Sequence, residues 1–329
     1  MMPSGPTRVA VLFGGDSPER EVSLSSGRAL CSALEVAGFL VEPLEADSPR
    51  RMLEMTGRSE ADVFFIALHG SWGEDGRLQA ALDLMGKVFT GSGATACALA
   101  MDKRASKALF AAAGVPTPRA VCLFSGDRAS GEAEGKAADA LKRWGRIVIK
   151  PSGCGSTVGV TIVSSPAEVE EALSLAFSFD SAVLVEEYIP GREITVTVWE
   201  ERGETSLLPV IQIEPRQGFY DYQAKYTPGQ TEYLCPAPLA PVERESVGGA
   251  AVAAHRSLGC RVFSRVDMRL TEEGHPYVLE VNTVPGMTAT SLVPKSAAAM
   301  GWGFDELARR IVRSSMELRS AGTGPLTRR

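Results

Sequence analysis

Two runs of alternating side chains constrain this chain more than any other stretch. Arg265-Val266-Asp267-Met268-Arg269-Leu270 and Tyr277-Val278-Leu279-Glu280-Val281-Asn282 flank the polar segment Thr271-Glu272-Glu273-Gly274-His275. A period of two puts successive side chains on opposite faces of a strand, and a short glycine-containing loop between two such runs makes an antiparallel hairpin. Arg265 and Asp267 then share the polar face of the first strand. Glu280 and Asn282 share that of the second, with Tyr277, Leu279 and Val281 on its other side. Counted back from the loop, Asp267 falls within about one residue of Glu280. Asn282 is the only asparagine in the sequence and stands just before the turn Val284-Pro285-Gly286. Asp267, Glu280 and Asn282 thus form an all-oxygen cluster beside Arg265, a donor set suited to Mg²⁺ bridging phosphate oxygens. The same alternation also describes a hairpin with one solvated face, and spacing alone leaves both readings open.

The N-terminal part reads as an open α/β unit. Arg8-Val9-Ala10-Val11-Leu12-Phe13 is a buried strand ended by Gly14-Gly15, and Asp16 to Ser23 lead into a helix over Val22 to Val36. In such sheets ligands bind beyond the carboxyl ends of the strands. The dinucleotide fingerprint G-x-G-x-x-G is absent. Glu19 sits at that edge, where it either holds a substrate ammonium or is simply an acid favoured at a helix N-terminus. Val63 to Leu68 forms a second apolar strand, followed by His69-Gly70-Ser71-Trp72-Gly73-Glu74-Asp75-Gly76. Its glycines let a ligand approach the backbone closely. His69 is one of three histidines, and its choice lies between a site residue and an ordinary loop residue.

Further along, Arg77 to Met85 reads as a helix, followed by the loop Thr90 to Gly93. Met101-Asp102-Lys103 then opens an Ala-rich helix that ends at Gly114. The prolines of Val115-Pro116-Thr117-Pro118 place a domain boundary within 100–118. Arg146 to Pro151 is a strand with Lys150 near its end, and Ser152 to Gly159 is a Gly/Ser-rich turn into a strand over Val160 to Val163. That combination suits a flap covering phosphates with backbone N–H groups. It is not a Walker loop, and Gly131 to Ala137, with the wrong spacing, reads as an exposed helix. A helix over Pro166 to Phe177 precedes strands over Ala182 to Ile189 and Arg192 to Trp199. Strands over 206–213 and 231–235 flank Gly218 to Tyr226, an aromatic, glycine-flanked loop that reads as a lid. Phe219 and Tyr220 suit core packing there, whereas Lys225 and Tyr226 belong in polar surroundings. Helices over 241–257, 291–300 and 303–318 complete the chain, with Thr323 to Arg329 as a frayed tail.

Bulk properties narrow the class. A chain of 329 residues accommodates one large or two to three modest domains with a sizeable core. The net charge of −6 argues against general nucleic-acid binding, which needs a basic surface. Met1 to Thr7 is polar and runs straight into a strand, so no secretory leader is expected. No run of 18 apolar residues suggests a membrane span. The six cysteines lack C-x-x-C pairing and read as reduced thiols, so a cytoplasmic enzyme is expected. Arginine outnumbers lysine 26 to 8, which makes each lysine the less expected basic choice. Lys103, Lys150 and Lys225 stand out.

Taken together, these segments resemble the D-alanine–D-alanine ligases of the ATP-grasp family. The matching stretches are Gly14-Gly15 with Ser17 to Leu24, His69 to Gly76, Met101 to Lys103, Lys150 to Gly159, Glu186 to Glu193, Phe219 to Tyr226, Arg265 to Asp267, and Leu279 to Pro294. They run in family order across residues 8–315. The resemblance implies a three-domain ATP-grasp fold of the α/β class with an N-terminal open α/β domain. Its divisions are an N-terminal substrate domain over 1–100, a central lid domain over 101–187 and a catalytic domain over 188–318. A tail follows over 319–329.

The resemblance also implies roles. Lys103 and Lys150 contact ATP phosphates beneath a flap around Ser156. Glu186, Glu187, Tyr188 and Ile189 line the adenine through backbone groups, with Glu193 on the ribose. Asp267, Glu280 and Asn282 hold two Mg²⁺ (or Mn²⁺) ions. Glu19 binds the ammonium of the first D-alanine, latched by Ser156 and Tyr226, with His69 at the same site. Arg265 and the Gly286 backbone N–H stabilise an oxyanion, while Lys225, Ser291 and Leu292 receive the second substrate's carboxylate. The implied reaction is ATP-dependent formation of D-alanyl-D-alanine through an acyl phosphate, for peptidoglycan precursors, by a homodimer built on the N-terminal domain. Gln212, Thr157 and Phe89-Thr90 depart mildly from the family pattern. Cys154 in the flap is unusual, and its oxidation is expected to slow ATP binding. The alternatives are a sister ligase using D-lactate or D-serine, a silent ATP-binding regulator on the same fold, and a carboxylase subunit. The intact charged cluster argues against the regulator, and the Tyr226 lid against the carboxylase.

Overall fold

The computed structural model of the chain describes residues 6–216 and 229–322. Its first sheet is parallel, ordered β2-β1-β3, from β1 (Arg8–Gly14), β2 (Leu40–Ala46) and β3 (Val63–Ile66). Central β1 is covered on both faces, which explains its unbroken apolar sequence. Val9, Val11 and Phe13 pack with α1 (Arg20–Val36) and with the C-terminal helix α11 (Phe304–Gly322), through Leu30, Leu34, Leu307 and Ile311. Ala10 and Leu12 face the other way, toward Met52 of α2 (Pro49–Arg58) and Leu78 and Leu82 of α3 (Arg77–Leu84). The last helix of the chain therefore closes the core of its first sheet.

The second sheet is antiparallel, ordered β4-β7-β5-β6, from β4 (Ala120–Phe124), β5 (Ile147–Pro151), β6 (Thr161–Val163) and β7 (Ala182–Glu187). Ile147, Ile149, Val183 and Val185 pack on one face against α7 (Glu132–Trp144) and α8 (Val169–Phe177). By alternation, Val148, Lys150 and Glu186 turn to the opposite face. There they line a cavity.

The third sheet is also antiparallel, ordered β11-β10-β8-β12-β13. Its members are β8 (Arg192–Glu201), β10 (Ile211–Pro215), β11 (Thr231–Leu234), β12 (Phe263–Leu270) and β13 (Pro276–Asn282), and β9 (Glu204–Leu207) adds to β8. Its apolar face, including Val196, Val266, Met268, Val278 and Val281, is covered by α9 (Pro241–Ser257) and by Phe110 of α5 (Lys103–Ala112). Its polar face turns to the same cavity as Lys150 and Glu186. Facing sheets with helices outside leave a slot between them.

Several expectations need correction. The expected alternation along β13 is broken: Asp267 pairs with Glu280 but Met268 pairs with Val278, so Leu279 is an extra residue in a β-bulge. Val278 and Val281 therefore occupy the core, while Leu279 joins Glu280 on the cavity side and Tyr277 is only half-buried. The single strand expected over 206–213 is two, β9 and β10, interrupted at Leu208-Pro209-Val210. Five strands and helices had no counterpart in the sequence reading: β2, α2, α4 (Ala94–Met101), β4 and α6 (Ser125–Ala129). Apolar nearly throughout, α4 shows no period to read. The final helix continues to Gly322, beyond the expected end at 318. The lid loop Gly218 to Tyr226, with Lys225 and Tyr226, and the segment Thr323 to Arg329 lie outside the described residues.

Candidate active site

Two cavities meet at Lys103, Glu280 and Leu292. The larger, about 640 Å³, lies between the two antiparallel sheets and is lined by Lys150, Glu186–Ile189, Glu193 and Asp267 among others. The smaller, about 450 Å³, lies beyond the carboxyl ends of the parallel strands. It is lined by Glu19, His69, Ser156, Arg265, Gly286 and Ser291 among others. An elongated charged ligand in the first can thus touch a small one in the second.

The floor of the larger cavity is a buried charge cluster. Glu186, 2% exposed, has Lys150 Nζ 2.8 Å from Oε2 and Lys107 Nζ 3.1 Å from Oε1. Burial disfavours its charge, but the two ammoniums more than offset that and hold its carboxyl below the usual glutamate range. Lys103 is also buried. Its Nζ donates to the Cys154 carbonyl at 2.7 Å and pairs with Glu280 Oε2 at 3.1 Å. Burial opposes its charge as well, yet Glu280 keeps its pKa above the ordinary lysine value.

At the far end of this cavity, Arg269 pairs with Glu193 at 3.3 Å and donates to the Ile189 carbonyl at 3.2 Å. The backbone N–H groups of Glu187 and Tyr188 donate to the carbonyls of Arg119 and Arg146. Those two amides are therefore already taken within the protein. Gln212 Oε1 is buried with no hydrogen-bond partner among the described residues, and Gln212 lines the cavity.

The flap joins the cavities. It leaves β5 at Ser152, whose Oγ donates to Asp102 Oδ1 at 2.8 Å, so its base is tied to the residue capping α5. Ser156 Oγ donates to the Glu19 carboxylate across 137 residues of sequence, which ties the flap to the lining of the smaller cavity. Ser156 and Thr157 hold φ of 52° and 63°, a left-handed conformation uncommon for residues with a Cβ and strained for a β-branched one. Cys154 is half-buried, and burial pushes its thiol above the usual range, a setting that suppresses the reactive thiolate.

His69 is 5% exposed and tethered at both ring nitrogens, to Glu74 Oε1 at 3.1 Å and Ser26 Oγ at 3.3 Å. A carboxylate can only accept, so in the neutral ring Nδ1 carries the proton and Nε2 accepts from Ser26. Ser26 Oγ also accepts from the Met287 N–H at 3.3 Å. Ser26 therefore ties α1 both to His69 and to the loop holding Gly286. That loop ends at Ser291, whose Oγ accepts from the Thr288 N–H at 3.1 Å just before α10 (Leu292–Ala299).

The hairpin register is the one expected at these positions. Asp267 pairs directly with Glu280, and Arg265 with Asn282. Asp267 accepts from Thr195 Oγ1 at 2.5 Å and from Arg265 at 2.9 and 2.7 Å. Asn282 Oδ1 accepts from the Val284 N–H at 3.0 Å, which leaves this carbonyl oxygen a second lone pair. Two carboxylates and an amide oxygen at one edge, with basic side chains already drawn to them, fit a hard divalent cation.

A family profile described as D-ala D-ala ligase C-terminus matches residues 109–313, and one described as D-ala D-ala ligase N-terminus matches residues 44–92. The chain belongs to the D-ala D-ala ligase family. It is 45% identical over 320 residues to a D-alanine–D-alanine ligase of Geobacter sulfurreducens, covering 97% of this chain and 96% of that one. Two structures of the D-alanine–D-alanine ligase from Bacillus anthracis are similar. The first has a TM-score of 0.83 at 34% identity, covering 96% of this chain and 99% of that one. The second, complexed with ATP, has a TM-score of 0.82 at 33% identity, covering 97% and 100%. VanG D-Ala:D-Ser ligase from Enterococcus faecalis is also similar, with a TM-score of 0.79 at 29% identity over 94% of this chain and 100% of that one. The architecture is thus the ATP-grasp fold expected for this family.

Of the site residues read from the sequence, Glu19, His69, Ser156, Arg265, Gly286 and Ser291 meet in one cavity. Lys150, Glu186–Ile189, Glu193 and Asp267 meet in the other. Lys103, Glu280 and Leu292 border both, Asn282 lines the smaller, and Lys225 and Tyr226 are not described. Sequence reasoning missed Ser26, Glu74 and Lys107. Lys107 had a usable signal, since it is one of eight lysines and lies four residues after Lys103 on the same helical face.

Proposed function

We infer that the chain joins two D-alanine molecules into D-alanyl-D-alanine, with ATP converted to ADP and phosphate. The observation that carries this reading is the meeting of the two cavities at Lys103 and Glu280 in a chain of this family. In this reading ATP lies in the larger cavity, with its phosphates toward Lys150 and Lys103. Glu19 receives the ammonium of the first D-alanine, whose carboxylate is thereby aimed at the γ-phosphate. Attack gives an acyl phosphate, and the amine of the second D-alanine displaces the phosphate. Arg265 and the Gly286 N–H, both at the smaller cavity, would stabilise the charge that develops on the carbonyl oxygen. Lys225, Ser291 and the Leu292 backbone receive the second carboxylate. The Ser156–Glu19 contact holds the flap shut, which keeps water from hydrolysing the acyl phosphate.

Asp267, Glu280 and Asn282 would hold two Mg²⁺ or Mn²⁺ ions, which supply Lewis-acid neutralisation of phosphate charge when bound. Arg265 and Lys103 keep those carboxylates paired meanwhile. We propose domain borders near residues 100 and 187, which agree with the division into three sheets. The resemblance to the family supports a homodimer and a role in peptidoglycan precursor synthesis. No helix among the described residues is long and apolar enough to cross a membrane.

Phosphate release with ATP, Mg²⁺ and D-alanine, alongside D-lactate, D-serine and L-alanine controls, tests the reading, with products read by mass. D-alanyl-D-alanine from D-alanine alone is expected. Preferred formation of a mixed ester or of the D-serine product would shift the reading to a sister ligase. Bound ATP without turnover would shift it to a regulator.

A further inference from the structure

Lys107 has no place in the reaction above, yet it is among the most deeply buried charges of the fold. It sits on α5 one turn beyond Lys103, 9% exposed, and does not line the nucleotide cavity. Its ammonium donates to Thr117 Oγ1 at 2.8 Å and to the Pro118 carbonyl at 2.7 Å, besides pairing with Glu186 Oε1 at 3.1 Å. Thr117 Oγ1 in turn donates to the Val278 carbonyl of β13 at 2.8 Å. Lys107 is thus held from three sides.

Lys150 differs. It lines the cavity, and among the described residues Glu186 is its one charged partner. If Lys150 contacts the ATP phosphates, its ammonium is shared between them and Glu186 and compensates that carboxylate less. A fully buried carboxylate that loses its counter-ion is strongly unfavourable, so Glu186 would hold Lys150 back unless a second cation stayed behind. Lys107 is that cation.

We propose that Lys107 is a positioning residue: a captive counter-ion that keeps Glu186 compensated and so releases Lys150 to the nucleotide phosphates. This rests on the reading of Lys150 as a phosphate contact. It predicts an effect on ATP affinity that depends on the charge of Glu186, which a merely structural role for Lys107 would not show.

The test is a double-substitution cycle on the full chain, reading the KM for ATP and kcat at saturating D-alanine for wild type, K107M, E186Q and K107M/E186Q. K107M is expected to raise the KM for ATP by about tenfold with kcat changed less than about threefold. With E186Q already present, no carboxylate competes for Lys150, and adding K107M is expected to change that KM by less than about threefold. If K107M alone does not fold, the pair K107M/E186Q against E186Q carries the test, since both charges are then absent. An equal rise in both backgrounds would overturn the proposal, as would an unchanged KM in K107M. K150M serves as a separate control: an unchanged KM for ATP there would sink the phosphate role of Lys150 itself.

Discussion

Glu19 joins the flap to the smaller cavity. It precedes α1 at the carboxyl edge of β1, and its carboxylate accepts from Ser156 of the flap while facing the smaller cavity. A hydrogen bond to a charged group contributes roughly 1.5–3 kcal/mol. E19Q should therefore raise the KM for D-alanine by about tenfold to a hundredfold, with the KM for ATP changed less than about threefold. Steady-state kinetics in each substrate measure this, and an unchanged KM for D-alanine would mean that the ammonium binds elsewhere. The sequence already pointed to Glu19, because an acid beyond a Gly-Gly turn has a physical reason to be there. Lys107 was marked only by the scarcity of lysine and its spacing from Lys103; its burial was hidden, because that depends on what the rest of the chain packs around the helix. Ser26 was likewise hidden, since a helix serine says nothing of a histidine 43 residues on.

Among the elements, the flap between β5 and β6 carries the sharpest local constraint. Gly159 closes it with φ of +70°, and an added Cβ would lie 2.8 Å from Phe179 and 2.9 Å from Pro151. An alanine there would meet both the left-handed strain, about 1–2 kcal/mol, and those contacts. G159A should raise the KM for ATP by roughly threefold to tenfold while moving Tm less than about 4 °C, because the flap lies outside the cores. Thermal melts beside the kinetics would check this, and a normal KM for ATP would show that the flap accommodates the change. The two strands flanking the flap were read in the sequence, and the hairpin followed from its alternation. The bulge at Leu279 was not legible, because it depends on how β13 must bend between core and cavity rather than on the residues themselves.

Across the whole molecule, three sheets bring together residues from Glu19 to Ser291, and α11 returns to cover the core of the first sheet. The order of motifs gave the class of fold, since each reads locally as strand, turn or helix. The packing of the C-terminal helix on the N-terminal sheet was hidden, because an apolar stripe does not name its partner. What this arrangement is for is a transfer of oxygen. If the first D-alanine's carboxylate attacks the γ-phosphate, one of its oxygens must leave with the phosphate when the second amine attacks. The decisive measurement is turnover with D-alanine labelled with ¹⁸O in both carboxylate oxygens, with the released phosphate analysed by mass. The account predicts one ¹⁸O in each phosphate formed with the dipeptide. Phosphate carrying only solvent and ATP oxygen would contradict it, because the carboxylate would then never have been phosphorylated.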